Sequence, residues 1–316
     1  MGLPVTVYRW DDAGAPQLST NPTPTEIIAV IKACLVTGYG AKAGLGWSVA
    51  FENVGTNKVA FRNSTFEGSG GYVQFWSTDG SNTAGKPLYI RAASAMSSLD
   101  NFIHPSSRFL HYNSSANNQW VIIGTSASVY IIPKISVINT NYLSSGYNEV
   151  SYFIGDLDSN YANDVTRFTI CACNFSGEMT GVNYSNSLSY GGSSACGIMY
   201  GVDGNVKSNT HSINFGDVSV QQVNSNYTLE EQSINPVLTP VHILMTTKSS
   251  TDIDGLSCVF SNKNPWYRGL VPGLYGMQFC GYGSQEWPLE RTWNGATYLL
   301  LRGYFNGTWL NITEWY

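Results

Sequence analysis

Val5-Thr6-Val7-Tyr8, Thr23-Pro24-Thr25-Glu26 and Gly38-Tyr39-Gly40 punctuate the stretch Val5 to Asn63, from which the fold is read. The first is a short β-prone run, closed by the turn residues Asp11-Asp12-Ala13-Gly14-Ala15-Pro16. In the second, Thr23 suits a helix N-cap, Pro24 the first helical position, and Glu26 completes a capping box. Ile27, Ile28, Val30, Ile31, Cys34 and Leu35 recur at helical spacing until the glycines at 38 and 40 stop the helix.

Downstream the pattern is strand and turn. Trp47–Phe51, Lys58–Arg62, Tyr72–Trp76 and Leu88–Ala92 read as short strands separated by Gly/Ser/Asp turns. Tyr72 to Trp76 carries large residues on both faces, which predicts a sheet covered by the core on one side and by a neighbour on the other. Residues 93–118 are Ser- and Asn-rich and predict a long loop or a seam. Val121-Ile122-Ile123 and Val129-Tyr130-Ile131-Ile132 read as two buried strands, and Val150–Gly155, Val165–Cys173, Val241–Thr247, Leu256–Phe260 and Leu274–Cys280 as further strands. Asn306-Gly307 between Ala296–Phe305 and Thr308–Trp315 is a hairpin signal. In its second arm, alternation puts Trp309 and Trp315 on one face, predicting a second packing partner there. The fold class expected is mainly β: antiparallel sandwich-type sheets with one short packed α-helix near the N-terminus. Residues 1–316 form a single β-rich unit, with two sub-domains meeting near 93–118 as the alternative.

The 316 residues include only 12% charged side chains, against roughly 25% in an average soluble domain. Ser, Thr, Asn and Gly replace the missing charge, and 20 Tyr and 9 Trp accompany them. Such a surface suits a homo-oligomer; a monomer with an uncharged β surface is the alternative. Net charge is −5 with no basic cluster, which argues against direct nucleic-acid binding. No charged-then-apolar leader is visible and no apolar run approaches the ~18 residues that span a bilayer, so no membrane association is expected.

Few constellations suggest chemistry. Asp156-Leu157-Asp158-Ser159-Asn160 opens like a calcium loop, but Tyr161 and Arg167 stand where Gly and Glu are needed. Asx-type turn capping is preferred to a cation held by Asp156, Asp158 and Asp164. Gly38, Gly40, Gly44 and Gly46 follow a helix rather than a strand, the wrong order for a phosphate loop. His104, His111, His211 and His242 lie beside no nucleophile motif, and Gly192-Ser193-Ser194-Ala195-Cys196 lacks the second glycine of a nucleophile elbow. No catalytic, cofactor or metal site is assigned, and no enzyme is expected. The six cysteines Cys34, Cys171, Cys173, Cys196, Cys258 and Cys280 contain no Cys-x-x-Cys pair. Most read as buried small hydrophobes; the sharper expectation is that some form inter-subunit disulfides. The loop Ser176–Ser194, with Tyr184 and Tyr190, is a candidate contact surface.

Three blocks of this sequence resemble a family of tailed-bacteriophage virion structural proteins. They are Val7-Tyr8-Arg9 through Asp12-Ala13-Gly14-Ala15-Pro16, Ala33–Gly40, Ala43–Trp47, Gly55–Lys58 and Arg62-Asn63; then Tyr152-Phe153-Ile154-Gly155-Asp156; then Tyr267-Arg268-Gly269-Leu270-Val271-Pro272-Gly273-Leu274-Tyr275. They occur in the family's order and span most of the chain, departing from its pattern at Leu157-Asp158-Ser159, where Pro-Ser is usual. The resemblance implies a virion component of the neck or collar, tail or baseplate, assembled in the host bacterial cytoplasm and working by multisubunit packing with other virion proteins. The alternative is a receptor- or glycan-binding fibre or spike module, with host glycan as its partner.

Overall fold

The unbroken apolar runs form the middle of the molecule. In a computed structural model, which describes residues 2–111, 118–133, 151–174, 177–181, 186–188, 194–204, 209–215, 238–245, 250–251, 254, 257–258, 267–276, 288–301 and 308–316, the chain is mainly β with antiparallel sheets. A central sheet runs in the order Phe168–Cys171, Tyr152–Asp156, Ser128–Ile132, Val121–Gly124, Thr6–Arg9. Ile122, Val129, Ile131, Tyr152, Ile154 and Ile170 face one core; Val121, Ile123, Tyr130, Ile132, Phe153 and Cys171 face another. Both faces of this sheet are therefore buried, which is why its strands read as continuous apolar runs rather than alternating ones.

The front core is closed by a second sheet. Ser48–Asn53, Lys58–Arg62, Tyr72–Ser77, Leu88–Ser98 and Asn101–Pro105 are laid side by side, with Phe109–His111 pairing onto Leu88–Ser98. Val59, Phe61, Val73, Phe75, Leu88 and Ile90 point inward and meet the helix residues Ile27, Ile28 and Ile31. Each such side chain contributes roughly 1.5–3 kcal/mol on leaving water. On the outer face Phe51, Tyr72, Leu99 and Phe102 gather around Ala60, Ala93 and Met96. The cover expected from a neighbour is thus supplied in part by this chain.

The polar span 93–118 corrects the expectation of a loop where it is described up to residue 111. Leu88–Ser98 continues through residue 93, and Asn101–Pro105 pairs back onto it. Serines there occupy the half-exposed end of a strand, where polarity reflects solvent and not irregular backbone. The central sheet contributes side chains to both core clusters.

The back core is closed by Ser194–Met199, Asn209–Asn214, Thr239–Met245, Tyr267–Gly276, Thr308–Asn311, Ala296–Leu300 and Glu290–Trp293, in that spatial order. The strand expected at Leu274–Cys280 begins at Tyr267: Gly269, Pro272 and Gly273 look like breakers but sit inside it, where its pairing with Thr239–Met245 is irregular. Ala296–Leu300 and Thr308–Asn311 pair as the hairpin signal predicts, although Asn306-Gly307 lies outside the described residues. Trp309 and Trp315 do not share a face, because the strand ends at Asn311 and resumes at Glu314–Trp315 against Leu3–Pro4. Trp315 enters the back core, while Trp309 is covered by Leu289, Leu300 and Trp293. The second packing partner is the chain itself.

The helix spans Pro24–Lys32 with the capping box in place: Glu26 N–H donates to Thr23 Oγ1, and Glu26 Oε2 accepts from Thr23 N–H at 2.6 Å. A π-helical turn, Ala33–Thr37, follows. Its freed carbonyls at Ala33, Cys34 and Leu35 accept from Gly38, Leu45 and Trp47 N–H, so the glycine-rich segment folds back along the helix end. The same segment blunts the open edge of the central sheet. Lys42 Nζ donates to the Val7 carbonyl at 2.7 Å, and Arg9 N–H donates to Asp12 Oδ2 at 2.7 Å and Tyr39 Oη at 3.1 Å. Backbone groups that would template another strand are thereby occupied. Burial opposes ionisation of Asp12, yet bonds from Lys42, Tyr39 and the Arg9 N–H outweigh it and hold the carboxyl below its ordinary range.

Gly273 shows how tightly the back core is fitted. Its φ is +71°, and an added Cβ would stand 2.1 Å from Trp315 Nε1. Gly80 has φ +78° but nothing within 4 Å. Gly80→Ala is therefore expected to cost only left-handed strain, about 1–2 kcal/mol. Gly273→Ala adds overpacking of about 1–3 kcal/mol, and urea unfolding of the two variants should separate them by that amount.

Candidate functional site

Among the described residues the most unusual charged group is Arg268, an arginine in an apolar strand and 1% exposed. Its Nε donates to Asp164 Oδ2 at 2.9 Å and its Nη2 to Asp164 Oδ1 at 2.6 Å, a two-pronged pair. Nη2 also donates to Thr166 Oγ1 and Nη1 to the Tyr200 carbonyl, each at 2.6 Å, with His211 Nε2 3.5 Å from Nη1. Asp164 Oδ1 in turn accepts from Thr166 N–H, the Asx-type turn expected for this loop. The guanidinium thus ties the back sheet to the loop between two central strands.

Asp156 ends a central strand in a similar role. Burial pushes its carboxyl up, against bonds from Ser69 and Asn63 and the charge of Arg167. Ser69 N–H donates to Oδ2 at 2.6 Å and Ser69 Oγ to Oδ1 at 2.5 Å, which links the front sheet's turn to the central sheet. Asn63 Nδ2 reaches Oδ2 at 3.1 Å, and Arg167 Nε lies 3.7 Å from Oδ1. A cleft of about 280 Å3 opens beside it, lined by Glu67, Asp156, Asp158, Arg167 and Tyr316 among others. Glu67 accepts from Ser126 Oγ, and Tyr316 Oη donates to the Asp156 carbonyl at 2.6 Å.

These bonds decide what the carboxylates can do. Asp164 is committed to Arg268 and Asp156 to Ser69 and Asn63, so Asp156, Asp158 and Asp164 do not converge on a common point. Among the described residues, no three His, Cys, Asp or Glu side chains are grouped to hold a metal ion. Nor is any helix among them long and apolar enough to cross a membrane.

Among the described residues a serine–histidine contact joins Ser94 Oγ and His104 Nδ1 at 2.9 Å. Ser94 gives its proton to the Ile103 carbonyl at 3.1 Å, so it accepts from the ring, the reverse of nucleophile activation. His111 is buried, with Nδ1 2.6 Å from Tyr152 Oη; burial pushes its imidazole down to about 3. His242 is half-buried against Tyr267.

The cysteines are placed as packing residues. Cys34 lies under the helix, and Cys171, Cys173 and Cys196 share the back core. All four are buried, and Cys34, Cys171 and Cys196 are free thiols. Burial, with a hydrogen bond to Cys171, pushes the Cys196 thiol far above its ordinary value, away from the reactive thiolate. The Cys258 side chain and Cys280 lie outside the described residues, as do Tyr184 and Tyr190. Sequence reading missed Arg268–Asp164 as a pair. An arginine flanked by Gly269, Leu270 and Val271 is a signal for a buried partner, but nothing local names a partner 104 residues away.

No protein-family model matches the sequence, and no curated protein matches it. Two measurements test the geometry. Arg268→Met leaves Asp164 buried and unpaired, and is expected to cost about 3–5 kcal/mol in urea unfolding; Arg268→Met with Asp164→Asn should cost less than the sum of the two single changes. His111 gives a pH signature. Its folded value lies below the unfolded 6.5, so the stability it supports is complete above pH 6.5 and is lost as pH falls toward about 3. The loss should run near 1.4 kcal/mol per pH unit, and His111→Gln should flatten that slope between pH 6 and 4 by roughly this amount.

Proposed function

We propose that this protein is a structural subunit of a tailed-phage particle, acting by assembly in the neck, tail or baseplate. The observation that carries the reading is what the three family-like blocks do in the fold. Asp12 and Tyr39 blunt a sheet edge, joined by Lys42 from just outside the blocks; Tyr152 and Asp156 tie the central sheet to the front one. Arg268, Pro272 and Gly273 tie the back sheet to the rest, Pro272 by accepting the Tyr130 hydroxyl at 2.6 Å. Every one of these residues is spent on holding sheets together, and none is left aimed at a substrate. Framework residues with no reactive group among them are what a particle subunit needs. The sparse charge agrees, since densely charged surfaces repel when many copies are brought together.

The test is mass spectrometry of purified particles with antibody-gold labelling of intact ones. Peptides of this chain are expected in the particle, and gold in an ordered pattern at the neck, tail or baseplate. Label confined to fibre tips would replace this reading with the receptor-binding one, and absence from the particle would overturn both.

A further inference from the structure

Two arginines stand side by side on the outer face of the front sheet. Alternation turns Val73, Phe75, Leu88 and Ile90 into the front core and leaves Trp76, Tyr89 and Arg91 on the other side. Trp76 pairs in register with Tyr89, and Ile90 with Phe109, so Arg108, the residue before Phe109, arrives next to Arg91. Like charges set beside each other on neighbouring strands repel. The described residues supply one carboxylate against the two, that of Glu178.

That compensation is incomplete. Arg91 Nη2 donates to both Glu178 oxygens, whereas Arg108 Nε lies 3.5 Å from Oε2 without an aligned hydrogen bond. Nε of each arginine is buried with no acceptor. Arg108 rests on the Tyr89 ring, its Cζ 4.1 Å from the centroid, and makes no aligned side-chain bond to the described residues. Two buried donors without acceptors, next to each other, mark a place where acceptor oxygens are short. Elsewhere on this face the polar groups are closed: Lys58 and Gln74 both bond Asp100. The Arg91, Arg108 and Glu178 side chains remain 23%, 27% and 51% exposed, so an anion can approach from solvent. Beside them half-buried Trp76, 5.6 Å from the Tyr89 ring, extends an apolar floor.

We propose that Arg91 and Arg108 bind the carboxylate of an acidic saccharide, a uronate unit, whose ring lies on Trp76. A carboxylate takes guanidinium N–H groups in short charge-assisted bonds, and the sugar's C–H face covers the indole. Glu178 is the internal anion with which the ligand shares the pair. Two guanidiniums against one carboxylate leave a single positive charge, so recognition acts at contact and not through a long-range field. This site goes beyond the particle-subunit reading and does not depend on it.

The experiment titrates the full chain by calorimetry with a glucuronate tetrasaccharide, its neutral glucose counterpart and inorganic phosphate. The uronate is expected to bind with a Kd of ~1 mM or tighter, and the neutral sugar and phosphate at least about 10-fold more weakly. Arg91→Gln and Arg108→Gln should each weaken uronate binding at least about 10-fold, the scale of a lost charged hydrogen bond. Glu178→Gln should strengthen it by about threefold, because a competing charge is removed. A gain of affinity cannot come from a damaged fold, so this variant keeps the test decisive if an arginine variant melts early. No uronate binding, neutral sugar or phosphate bound as tightly as uronate, or a Glu178→Gln affinity at or below wild type would overturn the site. Detection in purified particles is read separately, so the site and the structural role stand or fall independently.

Discussion

A sheet buried on both faces is the constraint on which this molecule depends. Strands such as Ser128–Ile132 and Tyr152–Asp156 have no side that meets water, so every residue must find a partner in one of two cores. Antiparallel sheets more commonly keep one face wet, and burying both requires a second and a third layer to be built around the first. Here the front layer comes from residues 48–111 and the back layer from the second half of the chain. Where polar groups fall inside this arrangement they must be paired: Tyr130 with the Pro272 carbonyl, Tyr152 with His111 and Arg268 with Asp164. Each of these pairs crosses from one layer or loop to another, so the bonds that satisfy burial also fix how the layers are stacked.

The sheet edges pose the complementary problem. At Thr6–Arg9 the exposed backbone is answered by side chains, with Lys42 on the Val7 carbonyl and Asp12 and Tyr39 on the Arg9 N–H. The arrangement is held by Asp12, which accepts from Lys42 at 2.6 Å and from Tyr39 at 2.7 Å. It explains why the residues after the helix alternate glycine with Tyr39 and Lys42: the backbone must fold tightly along the helix end while two long side chains reach the strand. Sequence reading took the glycines at 38 and 40 for the helix stop, and the π-helical turn does end at Gly38.

How far the fold was legible follows from how local each determinant is. Thr23-Pro24-Thr25-Glu26 announces its helix within four residues, and the capping box is found as read. Central strands were legible because burial on both sides writes an unbroken apolar run. The strands in 93–118 were not, because Ser94, Ser97 and Ser98 face solvent at a sheet's end and polarity alone does not distinguish that from a loop. Trp309 and Trp315 were put on one face by strict alternation, which fails as soon as two residues leave the strand between them. The candidate site was legible only in part. The turn capping at Asp164 lies within its own loop, whereas its pairing with Arg268 depends on a fold that brings distant segments together.

The distribution of charge bears on function through its range. Of the eleven lysines and arginines within the described residues, nine stand within 4.0 Å of a carboxylate. A tenth, Arg62, lies over the Tyr72 ring. Paired in this way the cations project little field beyond a few ångströms, and at physiological salt the remainder is screened over roughly 8 Å. Among the described residues, cations paired in this way offer little field to a polyanion or a charged substrate. On the particle-subunit reading proposed above, selection by fit rather than by electrostatic encounter would suit subunits that meet at high local concentration.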